Sequence, residues 1–139
     1  MTDVKGPLPE VLAALFGRIR SDLSPTLVDD LRFSHVRVLL GIPAEGASVT
    51  DLASGIGMTK QGCGQFVTRL VETGHVATTG APGDGRVRLV LRTAEGDRFL
   101  RRVLDGATAL EERFAAEVGP RRYATFRRVL EELAGPRQG

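Results

Sequence analysis

If residues 59–73 form a helix, Gln61, Gln65, Thr68 and Glu72 share one polar face, with Lys60 and Gly64 beside it. These side chains suit DNA. Glutamine pairs bidentately with adenine, and lysine reaches guanine or phosphate. Thr59 offers a hydroxyl at a helix N-terminus, where phosphate oxygens are favoured. The opposite face carries Cys63, Phe66, Val67 and Leu70, an apolar set for a core. Gly62 and Gly64 are unusual inside a helix, at about 0.5–1 kcal/mol each against alanine. They fit either close approach of the backbone to DNA or local flexibility without a role.

A second cationic set follows. Arg86 and Arg88 lie at and just past the Gly- and Pro-rich segment GAPGDG, and Asp84 precedes them. A narrow minor groove attracts arginine, and a carboxylate two residues away can hold the guanidinium in position. The plain alternative is a solvated hairpin arginine. Cys63 invites a thiol-sensor reading, being near a helix N-terminus and Lys60. Its spacing instead groups it with the buried residues, where cysteine behaves as a small hydrophobe. One cysteine and two histidines, far apart, give no metal-ligand spacing. The GIG, GCG and GDG fragments lack the strand-loop-helix setting of a phosphate loop. No catalytic group, metal or cofactor is expected.

The flanking residues predict the helices and strands that carry these side chains. Thr50 is expected to cap a short helix carrying Leu52, Ala53 and Ile56, and Gly55 and Gly57 to supply a turn. Thr59 caps the next helix, which stops at Gly74. A strand around Val76, the glycine-rich tip and a returning strand Val87–Leu91 then form a hairpin. A helix-turn-helix followed by a hairpin is a winged helix, whose second helix is offered to a major groove.

Upstream, Leu8, Val11, Leu12, Leu15, Phe16, Ile19 and Leu23 predict an amphipathic helix over 8–23. A helical turn is expected over 26–31, and Ser34 is expected to cap a helix through Leu40. His35, in that first turn, reads as an exposed or hydrogen-bonded residue rather than a sensor. Downstream, Thr93 caps a long helix to about Val118, Gly119-Pro120 breaks it, and a last helix runs from Arg121 to Ala134. The expected divisions are 1–33, an N-terminal dimerisation helix and connector; 34–92, the winged helix-turn-helix; and 93–139, C-terminal dimerisation helices and tail.

A length of 139 residues allows one domain, or a small domain with an oligomerisation element. The hydrophobic share of 42% suits a folded protein, and no apolar run approaches the roughly 20 residues that span a bilayer. The N-terminus lacks the pattern of a signal peptide, and a single cysteine suits a reducing cytoplasm. The net charge of +2 says little about nucleic acid, so the placement of the arginines carries that argument. A winged helix alone needs neither terminal helix. Packing them against their copies in a second subunit gives a symmetric homodimer, which presents two recognition helices to a palindrome.

With these residues in view, the chain resembles the MarR family of bacterial transcriptional regulators (the multiple-antibiotic-resistance regulators). LRFSHVRVLL is similar to the family's approach to the helix-turn-helix. VTDLASGIGMTKQGCGQFVTRLVETGHV is similar to the motif itself, and DGRVRLVLRTAEGDRFL to the Asp-x-Arg wing and the start of the long helix. The resemblance implies a mainly α fold with a small β-hairpin wing. It also implies a dimeric repressor that binds a double-stranded palindromic operator and releases it to a small-molecule effector. Thr59, Lys60, Gln61 and Gln65 would face the major groove, and Asp84 and Arg86 would form the wing pair. Departures are Gly85 for a frequent arginine, Arg92 for a frequent leucine, and Gly62 and Gly64 for small side chains. Two other classes stay open: a winged-helix protein-interaction module without DNA binding, and a thiol sensor acting through Cys63.

Overall fold

The computed structural model describes residues 3–81 and 84–136, and the side chains of residues 81–87 fall outside that description. The element order is α1 (Leu8–Leu23), a 3-10 turn (Ser24–Thr26), α2 (Phe33–Gly41), α3 (Val49–Ile56), α4 (Lys60–Glu72), β1 (Val76–Ala81), β2 (Asp84–Arg92), α5 (Ala94–Val118) and α6 (Pro120–Ala134). This is a mainly helical fold with a two-stranded antiparallel wing, as the sequence patterns require.

Local chemistry explains most of the boundaries. The Thr59 hydroxyl accepts the Gly62 N–H at 3.0 Å and the Thr93 hydroxyl accepts that of Gly96 at 3.1 Å, so both expected caps are present. Gly57 ends α3 at φ +70°, Gly74 follows α4 at φ +82° and Gly119 breaks α5 from α6 at φ +101°.

Four local expectations need correction. Ser48, not Thr50, caps α3 through the Asp51 N–H at 3.1 Å. Gly55 lies inside α3, so Gly57 alone makes the turn. Helix α2 starts at Phe33 rather than after Ser34, because the His35 ring reaches back and its Nδ1 accepts the Arg32 N–H at 2.8 Å. No helical turn spans 26–31: Asp29 and Asp30 adopt φ of 54° and 60°, a left-handed pair that stops a right-handed turn.

Strand β2 begins at Asp84, three residues ahead of the expected Val87, and pairs from Val76↔Arg92 to Gly80↔Arg88. The register shifts between Gly80 and Ala81. Ala47 bridges Val90 on the other side through reciprocal bonds of 3.2 and 2.7 Å, tying the loop before α3 to the wing.

The core lies under the helix-turn-helix. Val38, Leu39, Cys63, Leu70, Val90 and Phe99, from α2, α4, β2 and α5, are closed to solvent and pack as one cluster. Three ties lock α5 onto it. The Thr93 N–H donates to the His75 carbonyl at 3.1 Å, and the Thr93 hydroxyl donates to the Gly74 carbonyl at 2.6 Å. A Cβ at Gly96 would overlap that same His75 carbonyl oxygen, so only glycine permits this approach. Arg92 supplies the third tie: its Nη1 donates to the Leu39 and Ile42 carbonyls, each at 2.8 Å, and its Nε pairs with Asp97 at 2.8 Å. It thereby satisfies orphan carbonyls at the end of α2, which a leucine cannot do.

The terminal helices pack differently. A smaller cluster of Leu23, Leu110 and Phe114 joins α1 to α5, with Ile19 and Tyr123 against it. The Arg18 guanidinium sits 4.8 Å from the Phe114 ring centroid and pairs with Glu117 at 3.0 Å. The Tyr123 hydroxyl donates to Glu111 at 2.6 Å; burial, with that bond, pushes its phenol up to about 12. Helix α6 has no buried residue.

Candidate nucleic-acid interface and the cleft behind it

Helices α3 and α4 are joined by the Gly57 turn, and the Met58 N–H donates back to the Ala53 carbonyl at 2.9 Å. The turn fixes which face of α4 is free. Cys63, Val67 and Leu70 point into the core, whereas Lys60, Gln61, Gln65 and Thr68 are exposed, as is Thr59 at the N-cap. The first two turns of α4 therefore present two amides, one ammonium and a helix N-terminus on one surface. That arrangement offers donors and acceptors to base edges and donors to phosphate.

Thr68 and the two glycines have roles that spacing alone did not show. The Thr68 hydroxyl donates to the Gly64 carbonyl at 2.9 Å, which leaves its lone pairs and methyl group for a partner. Gly64 is half-buried, and a Cβ there would point at Val49 of α3, 3.9 Å from its Cγ1. A Cβ at Gly62 would stand 3.0 Å from the Thr59 hydroxyl oxygen. Gly64 thus lies at the α3–α4 crossing and Gly62 under the cap, rather than on the surface facing outward.

In the wing, Arg88 is exposed on β2 opposite Gly80. The backbones of Asp84 and Arg86 lie on the same strand, but their side chains lie outside the described residues, so the proposed carboxylate–guanidinium pair does too. Cys63 is fully buried, and burial pushes its thiol above the usual range. A thiol held protonated in the core is a packing group and a poor nucleophile. Among the described residues no group of His, Cys, Asp and Glu is placed to hold a metal ion. No described helix is long and apolar enough to cross a membrane.

Behind the helix-turn-helix, α1, α2 and α4 enclose a cleft of about 680 Å³. Its walls include Phe16, Phe33 and Phe66, with Arg20, Arg32 and Arg37 around them. Arg20 stacks on Phe16, its guanidinium carbon 4.9 Å from the ring centroid. Phe66 was expected in the core of α4; it is only partly buried, because it closes this cleft and meets the His35 ring edge-on at 5.0 Å. His35 itself is buried. Burial, then the nearby Arg32 charge, holds its imidazole below the usual value, and its Nδ1 accepts a hydrogen bond. No local spacing signals the cleft, since its arginines come from α1, the N-cap of α2 and α2 itself, and its aromatics from three helices.

A capped helix-turn-helix, a β-wing on the same core and long helices outside it define a winged-helix protein. The family model that matches residues 29–87 is described as the MarR family, and the chain belongs to that family. It is 34% identical over 105 residues to the HTH-type transcriptional regulator PetP of Rhodobacter capsulatus; the match spans 74% of this chain and 63% of that protein's length. CouR from Rhodococcus jostii RHA1, solved with p-coumaroyl-CoA, superimposes with a TM-score of 0.74 at 23% identity, covering 100% of this chain and 99% of the other. The transcriptional repressor CouR bound to a 23-mer DNA duplex gives 0.73 at 22% identity, covering 96% and 100%.

Proposed function

We propose that the chain is a sequence-specific DNA-binding regulator that acts in the cytoplasm as a homodimeric repressor and is relieved by a small molecule. It binds rather than catalyses. The observation that carries this reading is the N-terminal half of α4: Thr59, Lys60, Gln61 and Gln65 exposed together on a helix whose other face is locked into the core. Asp84, Arg86 and Arg88 of the wing are assigned to the adjoining groove. The likeness to CouR, solved both with DNA and with an acyl-CoA, supports DNA and an effector as partners.

The dimer rests on uncovered apolar surface. Leu8, Leu12 and Phe16 of α1 and Phe126, Val129 and Leu133 of α6 are all exposed. Leu12, Phe16, Phe126 and Leu130 line one shared cleft between the two helices. Such a contiguous patch favours association. A second copy covers it and sets two α4 helices for two half-sites about one helical turn apart.

Selection of bound sequences from a random DNA pool, with and without aromatic acids and acyl-CoA thioesters, tests the reading. The expected product is a palindrome whose enrichment falls when the effector is present. No enrichment at low salt replaces this reading with a protein-interaction role.

A further inference from the structure

Arg92 ends β2 at the root of the wing and holds three groups at once: the Leu39 and Ile42 carbonyls through Nη1 and the Asp97 carboxylate through Nε. Its side chain is only 25% exposed, so the guanidinium depends on these partners in place of water. They suit a cation. The carbonyls lie at the C-terminal end of α2, where the helix dipole is negative, and Asp97 stands in the first turn of α5.

The loop over 42–48 leads from α2 to α3, the first helix of the helix-turn-helix, and it meets β2 at two points. The first is the reciprocal backbone pair of Ala47 and Val90. Gly46, at φ +85°, lies so close there that a Cβ would stand 3.0 Å from the Val90 carbonyl oxygen. One contact of this kind leaves a hairpin free to swing about it. Arg92 makes the second contact, at Ile42, and two points of attachment on one loop remove that swing. Its bond to Asp97 ties the same root to α5.

The wing is a lever on this root. Alternation along β2 puts Arg88, Val90 and Arg92 on one face. Val90 is closed to solvent, whereas Arg88 is exposed further out towards the tip. Four residues of strand separate Arg88 from Arg92 by about 13 Å, so a small rotation at the root becomes a larger displacement of the outer guanidinium.

We infer that Arg92 is a specificity-determining positioning residue: by clamping the wing root to the loop before α3, it fixes which base pairs the wing reads relative to those that α4 reads. This rests on the proposed function and adds to it the residue that sets the spacing between the two contacts. Arg92 itself needs no contact with DNA. Its effect is to hold Arg88 in one orientation towards the helix-turn-helix, so that less freedom is lost when both elements engage the duplex.

The test uses the full chain and selection from the random DNA pool. Arg88→Ala defines the positions that the wing reads, and Gln61→Ala with Gln65→Ala defines those that α4 reads. Arg92→Leu should lower base discrimination about ten-fold at an Arg88-dependent position, within the usual range for one base pair, and leave the Gln61- and Gln65-dependent positions as in the wild type. In anisotropy titrations on the wild-type palindrome, Arg88→Ala should cost affinity in the wild type and much less in the Arg92→Leu background, a coupling that a double-mutant cycle reads. Amide exchange of the DNA-free protein should quicken at Ala47 and Val90 in Arg92→Leu, with the Cys63 and Val67 amides of α4 unchanged. Should Arg92→Leu fail to fold, Arg92→Lys takes its place. It keeps the charge, but one ammonium does not span α2 and Asp97 together, so the same positions should lose a smaller part of their discrimination.

The inference is overturned if Arg92→Leu, or Arg92→Lys in its place, keeps full discrimination at the Arg88-dependent positions. It is equally overturned if discrimination falls alike at both sets of positions with Arg88→Ala additive, since that marks a purely structural role. A wild type in which Arg88→Ala alters no position also overturns it, because the wing then reads nothing. A wild type that enriches no sequence sinks the proposed function instead, and exchange at Ala47 and Val90 still decides whether Arg92 clamps the wing to the loop.

Discussion

The winged-helix core and the terminal helices are built from similar apolar residues, yet one protomer treats them in opposite ways. Around α2, α4, β2 and α5 the apolar side chains are closed to solvent, and polar ties reinforce the packing: Thr93 on Gly74 and His75, Arg92 on the end of α2. At the other end α1 buries only Leu23, and α6 buries nothing. Leu133 is 77% exposed and Leu8 69% exposed, values that a helix with a completed partner does not keep. The first region is finished within the chain. The second leaves apolar faces uncovered; on the proposed reading the first end meets DNA and the second meets a further copy.

The largest expected effect comes from breaking the unfinished region. Leu12→Glu with Phe126→Glu places charges on the shared α1–α6 cleft and should give a monomer. Linking two modules raises avidity by about 10²–10⁴, so affinity for the palindrome should fall by a comparable factor. Far-UV dichroism should be retained because the winged-helix core is untouched. Sedimentation and anisotropy measure this; a monomeric variant with undiminished palindrome affinity would overturn the two-region comparison.

Breaking the finished region should cost folding stability instead. Gly96→Ala drives a methyl group into the His75 carbonyl, and overpacking of this kind costs about 1–3 kcal/mol. Urea denaturation near neutral pH should show a lower midpoint with the far-UV dichroism of the folded chain retained. An unchanged midpoint would mean that α5 and the α4 exit are less tightly locked than the geometry states.

The surface of α4 separates from its core side by a smaller effect. Gln61→Ala and Gln65→Ala should each relax base preference at a discrete position, by about 1–3 kcal/mol of discrimination, without altering the denaturation midpoint. Equal weakening on all sequences would assign them to phosphate contact. Gly64→Ala sharpens the contrast from within the same helix. Its Cβ would meet only Val49 at ordinary contact distance, so the change should stabilise by about 0.5–1 kcal/mol. A destabilised variant would show that the α3–α4 crossing has no room for a methyl group.

The smallest effect is a pH dependence of the finished region. His35 has a folded-state value lowered below its ordinary one by burial and by Arg32, so the unfolded chain takes up its proton first as pH falls. Its contribution is complete above about 6.5, the ordinary histidine value, and is lost as pH drops from there through the folded-state value. Denaturation midpoints between pH 7.5 and pH 5 should slope less for His35→Gln than for the wild type. Parallel slopes would remove His35 from the acid response.

The element order is legible in the chain alone, because periodicity, caps and stop glycines are local. Thr59, Thr93, Gly57, Gly74 and Gly119 act within a few residues of their own backbone, and their chemistry is visible in a short window. So is the buried face of α4, since Cys63, Val67 and Leu70 share one helical stripe. The start of α2 escaped that reading because a histidine took the capping role that serine usually fills.

The joins between distant segments follow from packing. Arg92 meets carbonyls 50 and 53 residues away, and Arg37 meets one 19 residues away. Gly96 is fixed by a carbonyl on the far side of the wing, and the arginine- and phenylalanine-lined cleft exists only once α1, α2 and α4 come together. Periodicity reports which side of an element is apolar. It does not report which carbonyl a guanidinium will find, because that is set by how the packed elements cross.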